Sequence, residues 1–406
     1  MASDFLDTFM NYTEHVPSPD IFRVWAGISC VAGALERRVW ARVYPTPTFA
    51  NLFVSLVATP GIGKGVIDVV AKLWRHTRDE RKRPMFHVMP DSVNAASMLL
   101  AFKDAKKTMV RDGKLLHEYH SLLVPNEEMG VLMPAHDMEL LGRLNYIFTN
   151  PEFIRVLRVY QKEVLEIIHP QLNILTGAQP GFLASMLPEE AWSMGFTSRL
   201  IMVYAGLGKE VKLFAEQTGV REAEQSLLAM LGELGQLEGQ FKWEPKAAEA
   251  LVNWNSSGRL PVPEHSRLTH YNNRRLQFVI KLSMIAAVSR ERDLVIRHED
   301  VTRAFDWLFP TEAVMPDIFR EMVHKSDNQT LLELHFFMWK EWMRTGKKPL
   351  HESRLWLFMQ ARVPSDKIPR ILDALLRSGM ATRAEGTQLY TPRPAAAFAL
   401  TAPFEA

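Results

Sequence analysis

One join in the chain constrains the fold more than any other feature. Residues 51–58, NLFVSLVA, are mostly apolar over strand length, and they run directly into TPGIGKG at 59–65 and a helix-like stretch at 66–76. An apolar run of that length suits a strand buried on both faces. A buried strand feeding a glycine-bearing loop, with a helix starting at once, aims backbone N–H groups and a helix N-terminus at one point. That is how a phosphate chain is held. Pro60, Gly61, Ile62, Gly63, Lys64, Gly65 and Val66 are therefore the candidate nucleotide-binding residues. Against the pattern G-x-x-x-x-G-K-[ST], Gly63 and Lys64 match, whereas Ala58 replaces the first glycine and Gly65 the hydroxyl residue. Gly65 lacks the side chain that would reach Mg²⁺ beside a nucleotide, so metal binding would lean on water and on acids elsewhere. A plain glycine turn between strand and helix is the competing explanation of the string.

The remaining pattern predicts the fold class. Strand-like runs recur at 85–89, 122–124, 171–176 and 199–204, with helical segments at 93–106, 138–147 and 153–163 between them. Strands alternating with helices imply an α/β protein with a parallel, doubly wound sheet. Residues 18–42 read as an amphipathic helix with Ser18 as cap and Pro19 at its first position. We expect residues 1–47 to pack on a core spanning 48–211. From 212 to 325 the strand signal lapses and apolar positions recur helically, as at 273–289, which predicts a helical lid subdomain. The pattern resets at 326–328, where a linker is expected. Within 328–394, helical stretches at 328–343, 350–360 and 364–378 end at Gly379, and two short strand-like pieces surround Glu385-Gly386 in a hairpin pattern. Three helices and a hairpin resemble a winged helix; residues 395–406 form a tail. Trp339, Trp342, Trp356 and Phe358, at helical spacings, read as core.

Acids follow at a suitable distance. LLVPNEE at 122–128 ends an apolar strand in a Glu pair, where a nucleotide hydrolase needs one carboxylate on the metal side and another to orient water. Glu127 is the candidate metal ligand and Glu128 the candidate water-orienting base; a solvated Glu pair is the alternative. In ILTGAQP at 174–180, Thr176 or Gln179 lies where ligands gather beyond strand ends. GFTSRLIMVY at 195–204 places Arg199 at the entry to a strand. It could form a surface ion pair, or act on a neighbouring subunit's nucleotide if subunits form a ring. Arg274 or Arg275, in the candidate lid, could close over the phosphates from the same chain.

Taken in order and spacing, ATPGIGKG, LLVPNEE, ILTGAQP and GFTSRLIMVY resemble the AAA+ and related P-loop ATPases. PDIFRVWAGISCVAGALERRVW at 19–40 and NPEFIRVLRVYQKEVLEIIHPQLNILTGAQP at 150–180 are similar, more specifically, to phage and plasmid P-loop ATPases of replication and primase-helicase proteins. The resemblance covers roughly residues 15–310. It implies ATP and Mg²⁺ as cofactors and DNA as partner, with a homo-oligomeric, hexameric ring. In it Lys64 holds phosphates, Glu127 and Glu128 form the acidic motif, Gln179 stands near the sensing position, Arg199 is the finger and Arg274 or Arg275 the lid sensor. The expected function is an ATP-dependent DNA replication motor or initiator. The alternative is a nucleotide-binding helicase loader or origin-binding adaptor with little hydrolysis of its own, working with a replicative helicase or another replication protein. A small-molecule phosphotransferase is a weaker third option, because a basic C-terminal module has no evident use there.

Charge supports the DNA reading in one place. The whole chain carries a net +2, but 328–394 holds eleven Lys and Arg against six Asp and Glu, a net +5. Lys367, Arg370, Arg377 and Arg383 are the candidate DNA contacts, since the third helix of such a module can enter a major groove while its hairpin meets the backbone. Protein docking is the other use of such a module. No apolar run approaches the 18 or more residues of a membrane helix, and the first thirty residues lack the basic start and apolar stretch of a signal peptide. A single cysteine, Cys30, precludes an intrachain disulfide and fits a reducing compartment; the cytoplasm, that of a bacterial host if phage-encoded, is expected. The histidines show no HExxH or paired ligand spacing, and no GxSxG elbow occurs.

Overall fold

The computed structural model describes residues 3–89, 95–111, 114–132, 137–158, 163–187, 195–211, 219–360, 363 and 367–394. They form two compact units, Met1–Phe319 and Arg320–Ala406. In the first, α1 (Phe5–Tyr12), α2 (Asp20–Leu35), β1 (Val39–Ala41) and β2 (Thr48–Phe49) precede β3 (Phe53–Val57) and α3 (Val66–His76). There follow α4 (Ala95–Asp104), β4 (Lys106–Arg111), β5 (Lys114–Asn126), α5 (Met129–Leu132), α6 (Met138–Phe148), β6 (Phe153–Arg158), β7 (Glu163–Ile168), β8 (Pro170–Ala178), α7 (Pro180–Met186) and β9 (Leu200–Tyr204).

The first unit is mixed α/β, with a mostly parallel sheet flanked by helices. Strand order is β4-β5-β8-β3-β9; β5, β8, β3 and β9 are parallel and β4 is an antiparallel edge. Every residue of β3 and of β8 is buried, as expected of central strands covered on both sheet faces, the polar Ser55, Gln171, Asn173 and Thr176 included. The helix α2 is also buried almost all round, with Phe22, Trp25 and Ile28 at 0% exposure, the mark of a central rather than a surface helix.

Local expectations change at several points. The helix expected at 18–42 ends at Leu35, and Val39–Ala41 is the strand β1. Ser18 does not cap α2, which starts at Asp20 with no side-chain cap; its Oγ instead accepts from the Val66 N–H at 3.4 Å, at the start of α3. Residues 85–89 make only a single parallel bridge, Val88 with Leu123. In place of the expected helix at 153–163 stands an antiparallel pair, β6 with β7, paired from Phe153–Ile168 to Arg158–Glu163; residues 159–162 lie outside the described residues. The β-branched residues of the pair satisfy a period of 2 as well as a helical one, and cross-strand pairs, including Arg155 to Glu166 at 2.8 Å, decide in favour of the strands. The expected linker at 326–328 lies within a continuous helix, His298–Arg344, that tolerates Pro310 and Pro316. The expected helix at 93–106 starts partly outside the described residues and is seen from Ala95 to Asp104.

Residues after β9 are mainly helical, in Val220–Leu234, Pro245–Ser256, Arg275–Glu291 and the start of His298–Arg344. Short parallel pairs interrupt them: Gly239–Gln240 with β1, and Lys242–Trp243 with Val295–Ile296. The Arg275 guanidinium is fully buried and bonds Glu312 through Nε at 2.8 Å and Nη2 at 2.6 Å, while the Tyr271 hydroxyl donates to the same carboxylate at 3.0 Å.

In the second unit, the end of the long helix, Glu352–Gln360 and Ile368–Arg377 pack with an antiparallel sheet whose strands run in the order Leu350–His351, Leu389–Pro392, Ala381–Arg383. Leu334, Met338, Leu355, Ile368 and Leu375 are wholly buried between them. Trp342, Trp356 and Phe358 pack on this core partly buried, and Trp339 lies 5.1 Å from Trp342. Gly379 (φ 72°) follows the last helix and Gly386 (φ 70°) turns the hairpin, both left-handed positions that suit glycine. Among the described residues no helix is long and apolar enough to cross a membrane.

Two predictions follow from the packing. Glu312→Ala strands a buried guanidinium and should cost about 3–5 kcal/mol in denaturant unfolding, whereas an unchanged midpoint would show that the pair does not support the fold. His117, whose ring lies 4.3 Å from that of His169, is held at about 4, down from 6.5, by burial and then by the charges of His169 and Arg37. The folded chain therefore binds fewer protons than the unfolded one in that window, so this stability is complete above pH 6.5 and lost as pH falls through 4. His117→Gln should flatten the thermal stability profile between those values.

Candidate functional site

The candidate phosphate-loop residues stand beyond the carboxyl end of a central strand. The loop leaves the C-terminal end of β3, which lies between β8 and β9, and the strands that follow β3 in the chain fall on both sides of it. A crevice at the carboxyl ends of parallel strands forms at such a switch point. Ala58 is buried and its N–H reaches Ala178 O at 3.2 Å, so the replacement of the first glycine is structurally quiet. Gly61 has φ 91°, a left-handed conformation that favours glycine. Gly63 is required for a different reason: a Cβ there would lie 2.0 Å from Pro17 O. The residues before α2 thus press directly on the loop, and Ser18 supplies the acceptor for the Val66 N–H. Gly65 takes the cap position of α3 at φ −59°, an ordinary conformation for any residue.

Opposite the loop, Gly177 on β8 lets two other elements approach. A Cβ at 177 would lie 2.2 Å from Glu127 O and 2.7 Å from Cδ of Lys64. The Lys64 side chain therefore lies across Gly177, beside the turn that carries the two acids. Asn126 shapes that turn by accepting the Glu128 N–H at 2.8 Å, a local bond typical of Asn. Around these residues lies a cavity of about 300 Å³ lined by Ile62, Lys64, Glu127, Glu128, Met129, Gly130, Gly177, Ala178, Gln179 and Phe182. At Gly130 the Phe182 ring packs against the backbone, where a Cβ would lie 2.3 Å from it, so a larger residue there would displace that ring.

The carboxylates are electrostatically coupled. Burial raises the Glu127 pKa, the negative charges of Asp68 and Glu128 add to it, and Lys64 opposes them. The side chain is exposed by surface area, so the crowding by neighbouring charge is the more telling cause. Asp68, on the first turn of α3, was missed by sequence reasoning; its place three residues after Gly65, facing the loop's acids, was the available signal. For Mg²⁺ the donors fit. This ion keeps several waters and takes one or two carboxylates plus substrate phosphates, and a Cβ at Gly65 would stand 3.7 Å from Glu127 Oε1. The position that carries a metal-binding hydroxyl in the full motif therefore faces Glu127. Among the described residues no group of three or more His, Cys, Asp or Glu is arranged to hold a metal by itself.

Thr176 is wholly buried and does not line the cavity, whereas Gln179 does. The arginines lie elsewhere. Arg199 precedes Leu200, which pairs with Phe53 at the start of β3, so it sits at the opposite end of the strands from the loop that carries Lys64, a strand length of about 17 Å. Arg274 is beside it, its Nε 3.2 Å from Ser198 Oγ. Arg275, bound to Glu312, is unavailable to the phosphates of its own chain. In the second unit Lys367 and Arg370 are exposed. Arg377 pairs with Asp373 at 2.9 Å, and Arg383 donates to Thr387 O at 2.7 Å beside Tyr390. No family model matches the chain, and no curated protein matches its sequence.

The close approaches give a paired prediction. Gly177→Ala should cost about 1–3 kcal/mol through overpacking, whereas Gly65→Ser, with ordinary backbone and only a normal 3.7 Å contact to Glu127 Oε1 at its Cβ, should stay within about 0.5 kcal/mol of the parent. Urea unfolding of both variants checks this, and equal losses would contradict it.

Proposed function

We propose that the chain is a P-loop ATPase that works on DNA in replication, as motor or initiator. The observation that carries this reading is the convergence of Lys64, Glu127 and Glu128 across Gly177 at the N-terminus of α3. In it the loop N–H groups and the Lys64 ammonium bind the β- and γ-phosphates of ATP, Glu127 stands on the metal side with Asp68 nearby, and Glu128 accepts a proton from the attacking water. Gln179, on the cavity wall, contacts the γ-phosphate or that water. Mg²⁺, held by Glu127, water and the phosphates, would neutralise charge on the phosphate oxygens.

Arg199, at the far end of the sheet, is out of reach of its own chain's loop, and in a hexameric ring it faces a neighbouring subunit's nucleotide. The second unit, three helices against a small antiparallel sheet, is compatible with a winged helix. Lys367, Arg370, Arg377 and Arg383 are then its DNA contacts, and a bacterial cytoplasm with a phage origin is the natural setting. Gly65 favours a second reading, a helicase loader or origin-binding adaptor that holds nucleotide without turning it over. A hydroxyl beside Glu127 Oε1 is what that position lacks.

ATP turnover, measured with and without single-stranded and duplex DNA, separates the two. DNA-stimulated turnover abolished by Lys64→Ala is expected for the motor. Absence of turnover with nucleotide still bound would overturn that reading in favour of the loader.

A further inference from the structure

A second cavity, of about 690 Å³, opens at the sheet edge opposite Lys64. Arg199, Arg259 and Arg274 line it, with no Asp or Glu among the described residues of its lining. Among the described residues their bonds go to neutral oxygens. Arg274 reaches Ser198 Oγ at 3.2 Å and Gln277 Oε1 at 3.3 Å; Arg259 reaches Asn255 Oδ1 at 2.9 Å and Asn273 O at 3.3 Å. Arg199 gives Nη1 to Gly195 O at 2.6 Å, and its Nε is buried with no hydrogen-bond partner among the described residues. Directly behind, the fully buried Lys281 ammonium bonds Asn51 O at 2.7 Å and Oδ1 at 2.8 Å.

Two other arginines of this unit meet carboxylates, Arg275 on Glu312 and Arg290 on Asp300, while the buried Arg37 gives its bonds to the carbonyls of Asn150, Pro151 and Pro170. Here cations face one another. Arg199 is held at about 10, below its ordinary value, by burial and by the charge of Arg274, and Lys281 is lowered by burial and then by Arg274 and Arg199. Like charges gathered in a half-buried cavity are costly unless an anion completes them.

We propose that this cavity is a phosphate-binding site, complete within one chain and separate from the Lys64 loop. Guanidinium forks match phosphate oxygens, and three of them suit a dianion better than a single carboxylate. The volume exceeds that of one phosphate, and Tyr44, 56% exposed on the lining, offers a ring on which a base can stack. The ligand is thus a phosphate carried by a nucleotide or by a nucleic-acid strand.

The test uses the full chain with Lys64→Ala to silence the first site, titrated calorimetrically with pyrophosphate, ADP and a single-stranded oligonucleotide. We expect at least one probe to bind, and Arg199→Gln and Arg274→Gln each to weaken it at least about tenfold. Arg274→Gln should also raise the melting temperature of the ligand-free chain, because it removes repulsion, a gain that a misfolded variant would not show. Pyrophosphate and ADP binding without the oligonucleotide assigns a nucleotide, and the reverse assigns a strand. The proposal is overturned if no probe binds, if binding survives both substitutions, or if it appears only once the chain oligomerises. None of these outcomes depends on ATP hydrolysis at Lys64.

Discussion

The site depends on a contact that leaves no room for a Cβ. At Gly177 the carbonyl of Glu127 and the side chain of Lys64 both press on the backbone of β8. At Gly63 the carbonyl of Pro17 presses on the loop. These approaches bring the end of β5, the loop after β3 and the segment before α2 into one place. Side-chain chemistry then acts on a frame set by backbone packing, because interiors packed at crystal-like density leave such points little freedom to shift.

Charge is divided between the two ends of the sheet. Beyond the carboxyl ends of β3, β5 and β8, one lysine faces three crowded carboxylates, Asp68, Glu127 and Glu128. At the other end, Arg199, Arg259 and Arg274 face neutral oxygens, with Lys281 buried behind them. The first arrangement suits a cation accompanied by a phosphate chain; the second suits an anion. Arg275, one residue from Arg274, belongs to neither, because the helix turns it inward to Glu312. Adjacent positions on a helix point about 100° apart, so two neighbouring arginines acquire opposite roles: one spans a buried ion pair and the other faces a cavity.

Local pattern was a good guide where burial is continuous and a poor one where two periods fit equally. The apolar runs of β3 and β9 were legible because a strand covered on both faces has little polar alternation to confuse it. The 153–163 stretch was not, since its apolar positions satisfy helical and alternate spacing alike and only pairing between Phe153–Arg158 and Glu163–Ile168 decides. The linker expected at 326–328 is a polar stretch of a long helix, which composition cannot distinguish from a turn. Gly379 and Gly386 stopped and turned the chain where their sequence positions indicated, because the left-handed conformation is a local property.

By itself, the sequence determined that a buried strand meets a glycine loop and a helix, that Lys64 ends that loop and that two acids end a later strand. Those are local facts of composition and spacing. Only the tertiary structure decided which residues meet. It brought Asp68 to Glu127, withdrew Thr176 into the sheet, buried Arg275 on Glu312 and set Arg199 with Arg274 a full strand length from Lys64. Strand order and register fix those distances, and they arise from pairings between residues far apart in the chain, which no local pattern encodes.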